Sequence, residues 1–152
     1  MAKVFLQSCK FPVAMYGCEA LKADIKRLIS FEMSCYRKLL QISWTQKITN
    51  EEVRSRLNIT CSHLLKHFKK QKLSYFGHVK RHDTLEKTIL EGKVEGKRKR
   101  GKPRKRWADD IKEWLNMSVV QAGSLAQDRD AYRRSVQAAT RRGTSFNTDG
   151  AG

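Results

Sequence analysis

The sequence predicts a small, mainly α-helical domain, and three observations support that prediction. The 152 residues are enough for one domain or two very small ones, and a hydrophobic fraction of 39% can fill a modest core. Apolar residues recur at three- and four-residue steps, which is the periodicity of amphipathic helices. Only 2 Pro and 9 Gly interrupt the chain. We expect a multi-helix domain with a turn-rich or short-hairpin connector, a basic loop and a disordered C-terminal tail.

The first two helices have the clearest signals. A one-sided apolar stripe predicts a helix from Asp24 to Ile42. Thr49, with Glu52 three residues later, forms a capping-box pattern. It predicts a short second helix from Asn50 to about Leu57, which Asn58 ends.

A third apolar stripe predicts a helix from about Ser62 to Arg81, with Gly77 as a weak point. Four lysines fall on the other side of this helix from the apolar stripe. They are Lys66, Lys69, Lys70 and Lys80. The sequence therefore predicts a helix with a buried apolar face and an exposed basic face.

The pattern changes after Asp83. The segment Leu85–Gly96 mixes a short apolar run with two glycines, which indicates a turn-rich connector or a small hairpin. A basic run follows from Lys97 to Arg106, and Pro103 is suited to the first turn of the next helix, which should reach about Met117.

Two further short helices are expected near the C-terminus. Ser118 with Gln121 and, separately, Asp128 are typical of helix N-caps. From Thr140 onward the chain is rich in Gly, Ser, Thr and Asn without an apolar stripe, so we expect a frayed tail.

Charge is concentrated in the middle of the chain. Residues 61–106 contain 16 basic and 4 acidic residues, a net of +12, whereas residues 1–60 carry +5 and residues 107–152 carry 0. A basic block between nearly balanced segments is the electrostatic footprint of a polyanion-binding surface. Nucleic acid is the partner we expect, and a solvated basic face is the alternative.

No window approaches the roughly 18 apolar residues that a membrane span requires, and the first six residues lack the layout of a secretory signal. We therefore expect a nuclear or cytoplasmic protein, with the nucleus favoured, that is not secreted. Its cysteines, Cys9, Cys18, Cys35 and Cys61, should then be reduced thiols.

Four ordered segments carry a resemblance to a known family. They are KFPVAMYGCE (10–19), FEMSCYRKLLQISWT (31–45), YFGH (75–78) and ILEGKVEGKRKRGKPRKRWADDI (89–111). From about Lys10 to Val136 the chain resembles the C-terminal region of reverse transcriptases from non-LTR (LINE-type) retrotransposons. The resemblance implies a truncated copy of an endonuclease and reverse transcriptase polyprotein that lacks both catalytic domains.

The resemblance also suggests a division of the chain. Residues 1–20 would be a remnant of the segment that follows the polymerase thumb, and residues 21–82 a helical subdomain. Residues 83–106 would form the basic turn-rich connector, residues 107–139 the C-terminal helices and residues 140–152 the disordered tail.

We expect no catalytic activity. Asp109 and Asp110 imitate the paired aspartates of a polymerase, but adjacent residues on a helix diverge by about 100° and cannot converge on two metal ions. We interpret them as acidic residues in the first turn of the helix, where the helix dipole stabilises negative charge. No Gly-rich phosphate loop or nucleophile–base pair stands out, and no cofactor is expected.

The basic residues of the central block are the predicted nucleic-acid site, because each phosphate they neutralise would release counterions. The predicted contacts are Lys66, Lys69, Lys70, Lys80, Arg81, Lys97, Arg98, Lys99, Arg100, Lys102, Arg104, Lys105 and Arg106. Arg100-Gly-Lys-Pro103 also resembles an AT-hook core, although Lys102 lacks the planar fork of arginine. The same run could serve as a nuclear localisation signal.

Histidines and aromatics give two weaker hypotheses. The pairs His63/His67 and His78/His82 have one-turn spacing, and Cys61 could join the first pair on a metal ion, but a polar helix flank is the preferred interpretation. Trp107 is the one aromatic we consider for base stacking, and packing is preferred there too.

The sequence therefore predicts a non-catalytic module that binds the backbone of RNA or DNA. Two alternatives stay open at this point. One is a decayed retroelement fragment without a selected function, and the other is a helical interaction module for acidic proteins or anionic membrane surfaces.

Overall fold

The computed structural model describes residues 11–18, 25–83, 85–91 and 106–142, and within these ranges the protein is all-α. The described residues form eight α-helices and one 3-10 turn at Trp44–Gln46. In chain order the helices are α1 (Phe11–Ala14), α2 (Ile25–Leu39), α3 (Asn50–Arg56), α4 (His63–Arg81), α5 (Leu85–Glu91), α6 (Trp107–Leu115), α7 (Val119–Gln127) and α8 (Arg129–Arg141). The predicted mainly helical fold is confirmed.

Helix α4 is the centre of the fold, since α2, α6, α7 and α8 all pack on it. Its apolar stripe is buried along its whole length, from Leu64 through Phe68 and Leu73 to Phe76. One continuous apolar core extends from Phe11 to Ala139. The described parts of the segments 1–20, 21–82, 83–106 and 107–139, which were predicted as separate units, therefore contribute to the same core.

The start of α4 is fixed by a buried carboxylate from α2. The Glu32 side chain is fully buried and accepts hydrogen bonds from the Tyr36 hydroxyl at 2.8 Å, the His63 backbone N–H at 2.8 Å and the Ser62 hydroxyl. Ser62 Oγ in turn accepts the Leu65 N–H and caps α4. A buried polar group needs such partners, so Glu32 sets where α4 begins against α2.

The predicted caps account for the starts of α3, α7 and α8 and for the end of α3. Thr49 Oγ1 accepts the Glu52 N–H at α3, and Asn58 ends that segment with a positive φ of 50°. Ser118 and Gln121 exchange both bonds of a capping box at α7. Asp128 Oδ1 accepts the N–H groups two and three residues ahead at the start of α8.

Helix α4 is continuous through Gly77, which the sequence marked as a weak point. A Cβ atom at this position would lie 2.4 Å from Tyr132 Cε1, so the missing side chain lets α8 approach α4 closely. The Tyr132 hydroxyl then donates to the Leu73 carbonyl of α4 at 2.7 Å. Gly77 is therefore a packing requirement of the α4–α8 contact.

Three boundary predictions are corrected. Residues Leu85–Glu91, expected to be turn-rich or a hairpin, form helix α5, where Lys87 pairs with Asp83 one turn earlier at 2.9 Å. Helix α6 was expected to begin near Pro103, which lies outside the described residues, whereas its observed start is Trp107, with Arg106 as the extended N-cap. The disordered tail was expected to begin at Thr140. Thr140 instead belongs to α8, where it is buried and its hydroxyl donates to the Val136 carbonyl. The rest of the predicted connector, residues 84 and 92–105, and the predicted tail from 143 onward lie outside the described residues.

Candidate nucleic-acid interface

The predicted basic site is divided between described and undescribed residues. Five of its members lie on α4, and Arg106 is the exposed N-cap of α6. The other seven lie outside the described residues. They are Lys97, Arg98, Lys99, Arg100, Lys102, Arg104 and Lys105.

The described basic side chains of α4 differ in exposure. Lys66 and Lys70 are exposed and lie one turn apart on the same face. Lys80 and Arg81 are half-buried near the end of the helix. Arg81 Nη1 donates to the Ala126 carbonyl at 3.0 Å, so part of this guanidinium joins α4 to α7.

Lys69 departs from the expected exposed face. It is 5% exposed, its ammonium lies 5.6 Å from the centre of the Trp114 ring, and it donates to the Arg142 carbonyl at 3.4 Å. Burial lowers the pKa of Lys69, against the opposing effect of Glu113. The side chain connects α4 to α6 and the end of α8, so it does not lie on the surface that Lys66 and Lys70 form.

Lys72, which the sequence analysis did not single out, is a buried cation of the core. Its ammonium lies 2.5 Å from Asp110 Oδ2 of α6, and both side chains are at most 1% exposed. The ammonium also lies 4.7 Å from the centre of the Trp107 ring, within the range of a cation–π contact. Part of the positive charge counted in residues 61–106 is therefore neutralised inside the fold.

The two adjacent aspartates of α6 point to different partners. Asp109 Oδ2 accepts the Arg106 backbone N–H at 2.6 Å, whereas Asp110 pairs with Lys72. Both lie in the first turn of α6, as the sequence predicted. Each carboxylate thus has a structural partner, one at the helix start and one in the core.

A basic groove lies between α4 and α8, and we call it the α4–α8 groove. It is an open depression of about 450 Å³ whose floor includes Tyr132 and Val136. Among the described residues that line it, six are cationic: Lys66, Lys70 and Arg81 from α4, and Arg129, Arg133 and Arg141 from α8. The described lining residues include no carboxylate.

The α8 half of this groove was not predicted from the sequence. Residues 107–152 carry no net charge. A charge count therefore does not reveal that several arginines of α8 lie on one face of the helix. Arg129, Arg133, Gln137 and Arg141 recur every four residues and therefore follow one face of the helix. This four-residue spacing can be recognised in the sequence, whereas the contact between α8 and α4 cannot.

Trp107 and Trp44 differ in how much of the ring is exposed to solvent. Trp107 is half-buried, stacks on Phe76 at a centroid distance of 6.4 Å and meets Tyr75 edge-on at 6.1 Å. Its ring is therefore used in packing, the preferred interpretation from sequence. Trp44 is 89% exposed in the 3-10 turn after α2 and presents most of its ring to solvent.

The four histidines lie at the two ends of α4, and His78 and His82 are in ring contact. His78 and His82 are exposed with ring centroids 4.5 Å apart. His63 packs on the Phe11 ring at 5.8 Å, and burial lowers the pKa of the half-buried His67. Within the described ranges no three His, Cys, Asp or Glu side chains come together as a metal site, the hypothetical set of Cys61, His63 and His67 included.

Two further observations concern the wider context of the chain. None of the described helices is long and apolar enough to cross a membrane. Comparison of the chain with families of related sequences, with curated proteins and with solved structures gave no match.

Proposed function

We propose that the chain is a non-catalytic nucleic-acid-binding module, derived from the C-terminal region of a non-LTR retrotransposon reverse transcriptase. It binds the backbone of RNA or DNA through the basic block of residues 61–106. The observation that carries the proposal is the net charge of +12 within these 46 residues, out of +17 for the whole chain. Such a field attracts phosphates and supplies sequence-independent affinity through counterion release.

Exposed charge on the described part of the block supports this function. Lys66 and Lys70 project from one face of α4, and Arg106 is exposed at the start of α6. Because α4 is anchored by its buried face, Lys66 and Lys70 are held on a rigid helix. A rigid helix presents charges to a phosphate backbone with little loss of conformational entropy on binding.

A role without catalysis is supported by the partners of the two aspartates. Asp110 is buried against Lys72, and Asp109 holds the backbone N–H of Arg106. Carboxylates that bind metal ions in polymerases must face a shared, open position. The diverging partners of this pair favour a purely structural role.

The test compares the intact chain with a variant in which Arg98, Lys99, Arg100, Lys102, Arg104, Lys105 and Arg106 are all Ala. Fluorescence anisotropy would measure the binding of labelled single-stranded RNA, single-stranded DNA and an A·T-rich duplex. We expect the intact chain to bind at low salt and the variant to bind at least tenfold more weakly, because seven phosphate contacts are removed. The ranking of the three ligands would identify the partner.

Two controls separate this proposal from its alternatives. A cooperative thermal melt of both proteins would establish that the variant is folded, and a broad melt of the intact chain would favour a decayed fragment. Sedimentation with anionic vesicles would reveal a membrane-binding module. Absence of oligonucleotide binding by the folded intact chain would refute the proposal.

A further inference from the structure

We infer that the α4–α8 groove binds the backbone of a single-stranded nucleic acid. The inference rests on the proposed function and deepens it. It assigns a second contact surface, which is formed by two packed helices and is separate in sequence from the basic run at 97–106. Half of the described cations that line it come from α8, outside the basic block.

The charge of the groove fits a polyanionic strand. Lys66 and Lys70 are one turn apart on α4, and Arg129 and Arg133 are one turn apart on α8. One turn of four residues rises about 6 Å, so each rim presents a row of cations along the groove. A chain of phosphates lying between the two rows would meet positive charge on both sides, with no carboxylate among the described lining residues to repel it.

The two helices run antiparallel. Gly77 faces Tyr132 near the end of α4 and the start of α8, and Lys69 reaches the Arg142 carbonyl at the end of α8. From Lys66 to Arg81 the groove extends about 22 Å at 1.5 Å per residue. A surface of this length can contact several successive phosphates.

The width of the groove favours one strand over two. The close approach at Gly77 brings α4 and α8 into direct contact, and packed helices have axes about 8–10 Å apart. A duplex is a stiff rod much wider than this space, so at most one of its two backbones could lie in the groove. A single strand can lie along it and adjust its phosphate spacing to the cations.

The floor of the groove favours contact with phosphates over contact with bases. The Tyr132 ring is 3% exposed and its hydroxyl is bonded to the Leu73 carbonyl, so it offers no open face for stacking. Val136 beside it is also buried. We therefore expect strong salt dependence and little sequence preference.

The test uses two variants of the full chain that lose equal charge. The groove variant carries Lys66→Gln, Lys70→Gln and Arg133→Gln. The control variant carries Lys26→Gln, Lys38→Gln and Arg134→Gln, which are exposed and do not line the groove. Arg133 and Arg134 are neighbours on α8, so the comparison isolates the face of the helix.

Anisotropy with an unstructured single-stranded oligonucleotide of about 20 nucleotides would be measured across a salt series. We expect the log–log salt slope of the groove variant to be shallower by about 2, because three contacts at about 0.7 each are lost. The control variant should retain the slope of the intact chain. Unlabelled duplex should compete less well than unlabelled single strand of the same length.

Three outcomes are distinguishable. If the groove and control variants lose affinity equally, the groove is not a site, while the proposed function stands because the intact chain still binds. If duplex competes as well as single strand, the assignment to a single strand is wrong. If the intact chain binds no oligonucleotide, the proposed function itself fails together with this inference.

Discussion

The Lys72 ammonium of α4 lies 2.5 Å from the Asp110 carboxylate of α6, in a part of the core where both side chains are at most 1% exposed. The pair connects two helices that are far apart in sequence, and the ammonium also lies 4.7 Å from the ring centre of Trp107 and 5.7 Å from that of Trp114. Burial of two charges carries a large desolvation cost, which only the intact pair offsets.

Removal of one partner should therefore be costly. We expect Lys72→Met to lower the free energy of unfolding by roughly 3–5 kcal/mol, because it leaves Asp110 buried and without its cation. Lys87→Met is the matched control, since Lys87 pairs with Asp83 at the surface and such pairs contribute less than about 1 kcal/mol. Urea denaturation measures both values.

The double variant Lys72→Met/Asp110→Leu should regain most of the loss, since it replaces both charges with apolar groups. Equal costs for Lys72→Met and Lys87→Met would show that Lys72 and Asp110 are solvated.

The close approach of α8 to Gly77 gives a second prediction. Gly77→Ala should destabilise the protein by about 1–3 kcal/mol, because the new methyl group would lie 2.4 Å from the Tyr132 ring. Gly123→Ala in α7 is the control, since its nearest neighbours are atoms of the flexible Lys80 side chain at 3.5 Å or more. There the gain in helix propensity should stabilise the protein by about 0.5–1 kcal/mol. The account of Gly77 fails if thermal melts shift in the same direction for both.

The tryptophans give a third prediction. Trp107→Ala should cost roughly 2–3 kcal/mol of stability, near the low end for aromatic truncation, since the ring packs on Phe76 but is half-buried. Trp44→Ala should change stability by no more than about 0.5 kcal/mol, because that ring is 89% exposed. Chemical denaturation provides the comparison. Unchanged stability in Trp107→Ala together with lost oligonucleotide binding would instead make Trp107 a stacking residue.

Two buried tyrosines make the fold sensitive to alkali. Burial raises the pKa of Tyr36 and of Tyr132 above the ordinary value of 10.0, and Glu32 adds to the effect at Tyr36. The unfolded chain releases these two protons near pH 10 while the folded chain retains them. Stability from this source is therefore fully present below pH 10 and falls as the pH rises above it.

The unfolding equilibrium above pH 10 should accordingly release up to one additional proton per buried tyrosine. In Tyr132→Phe the dependence of stability on pH should be shallower by about one proton, whatever its stability at neutral pH. Urea titrations at a series of alkaline pH values measure this slope. An unchanged slope would mean that Tyr132 ionises within the folded protein.

The sequence predicted local structure well where its causes are local. Thr49, Ser62, Ser118 and Asp128 act as N-caps through bonds to residues two or three positions ahead, and Asn58 adopts a positive φ. These features depend on a few neighbouring residues, so they can be read from the chain. The apolar stripe of α4 likewise identified its buried face.

Tertiary contacts were harder to predict from the sequence. Lys69 and Lys72 belong to the same basic segment as Lys66 and Lys70, but only contacts with α6 and α8 decide which of them are buried. The helix at Leu85–Glu91 was missed because two glycines further along suggested a turn. The α4–α8 groove needs the antiparallel contact at Gly77, which no pattern within either helix encodes.

The central claim is that the folded chain binds a nucleic-acid backbone by neutralising phosphates. The most direct test is the affinity of the intact protein for single-stranded RNA, measured by anisotropy at salt concentrations from about 50 to 200 mM. The account predicts a linear log–log plot with a slope of about −4 or steeper, which corresponds to six or more contacts. A flat dependence on salt, or no binding at the lowest concentration, would contradict it.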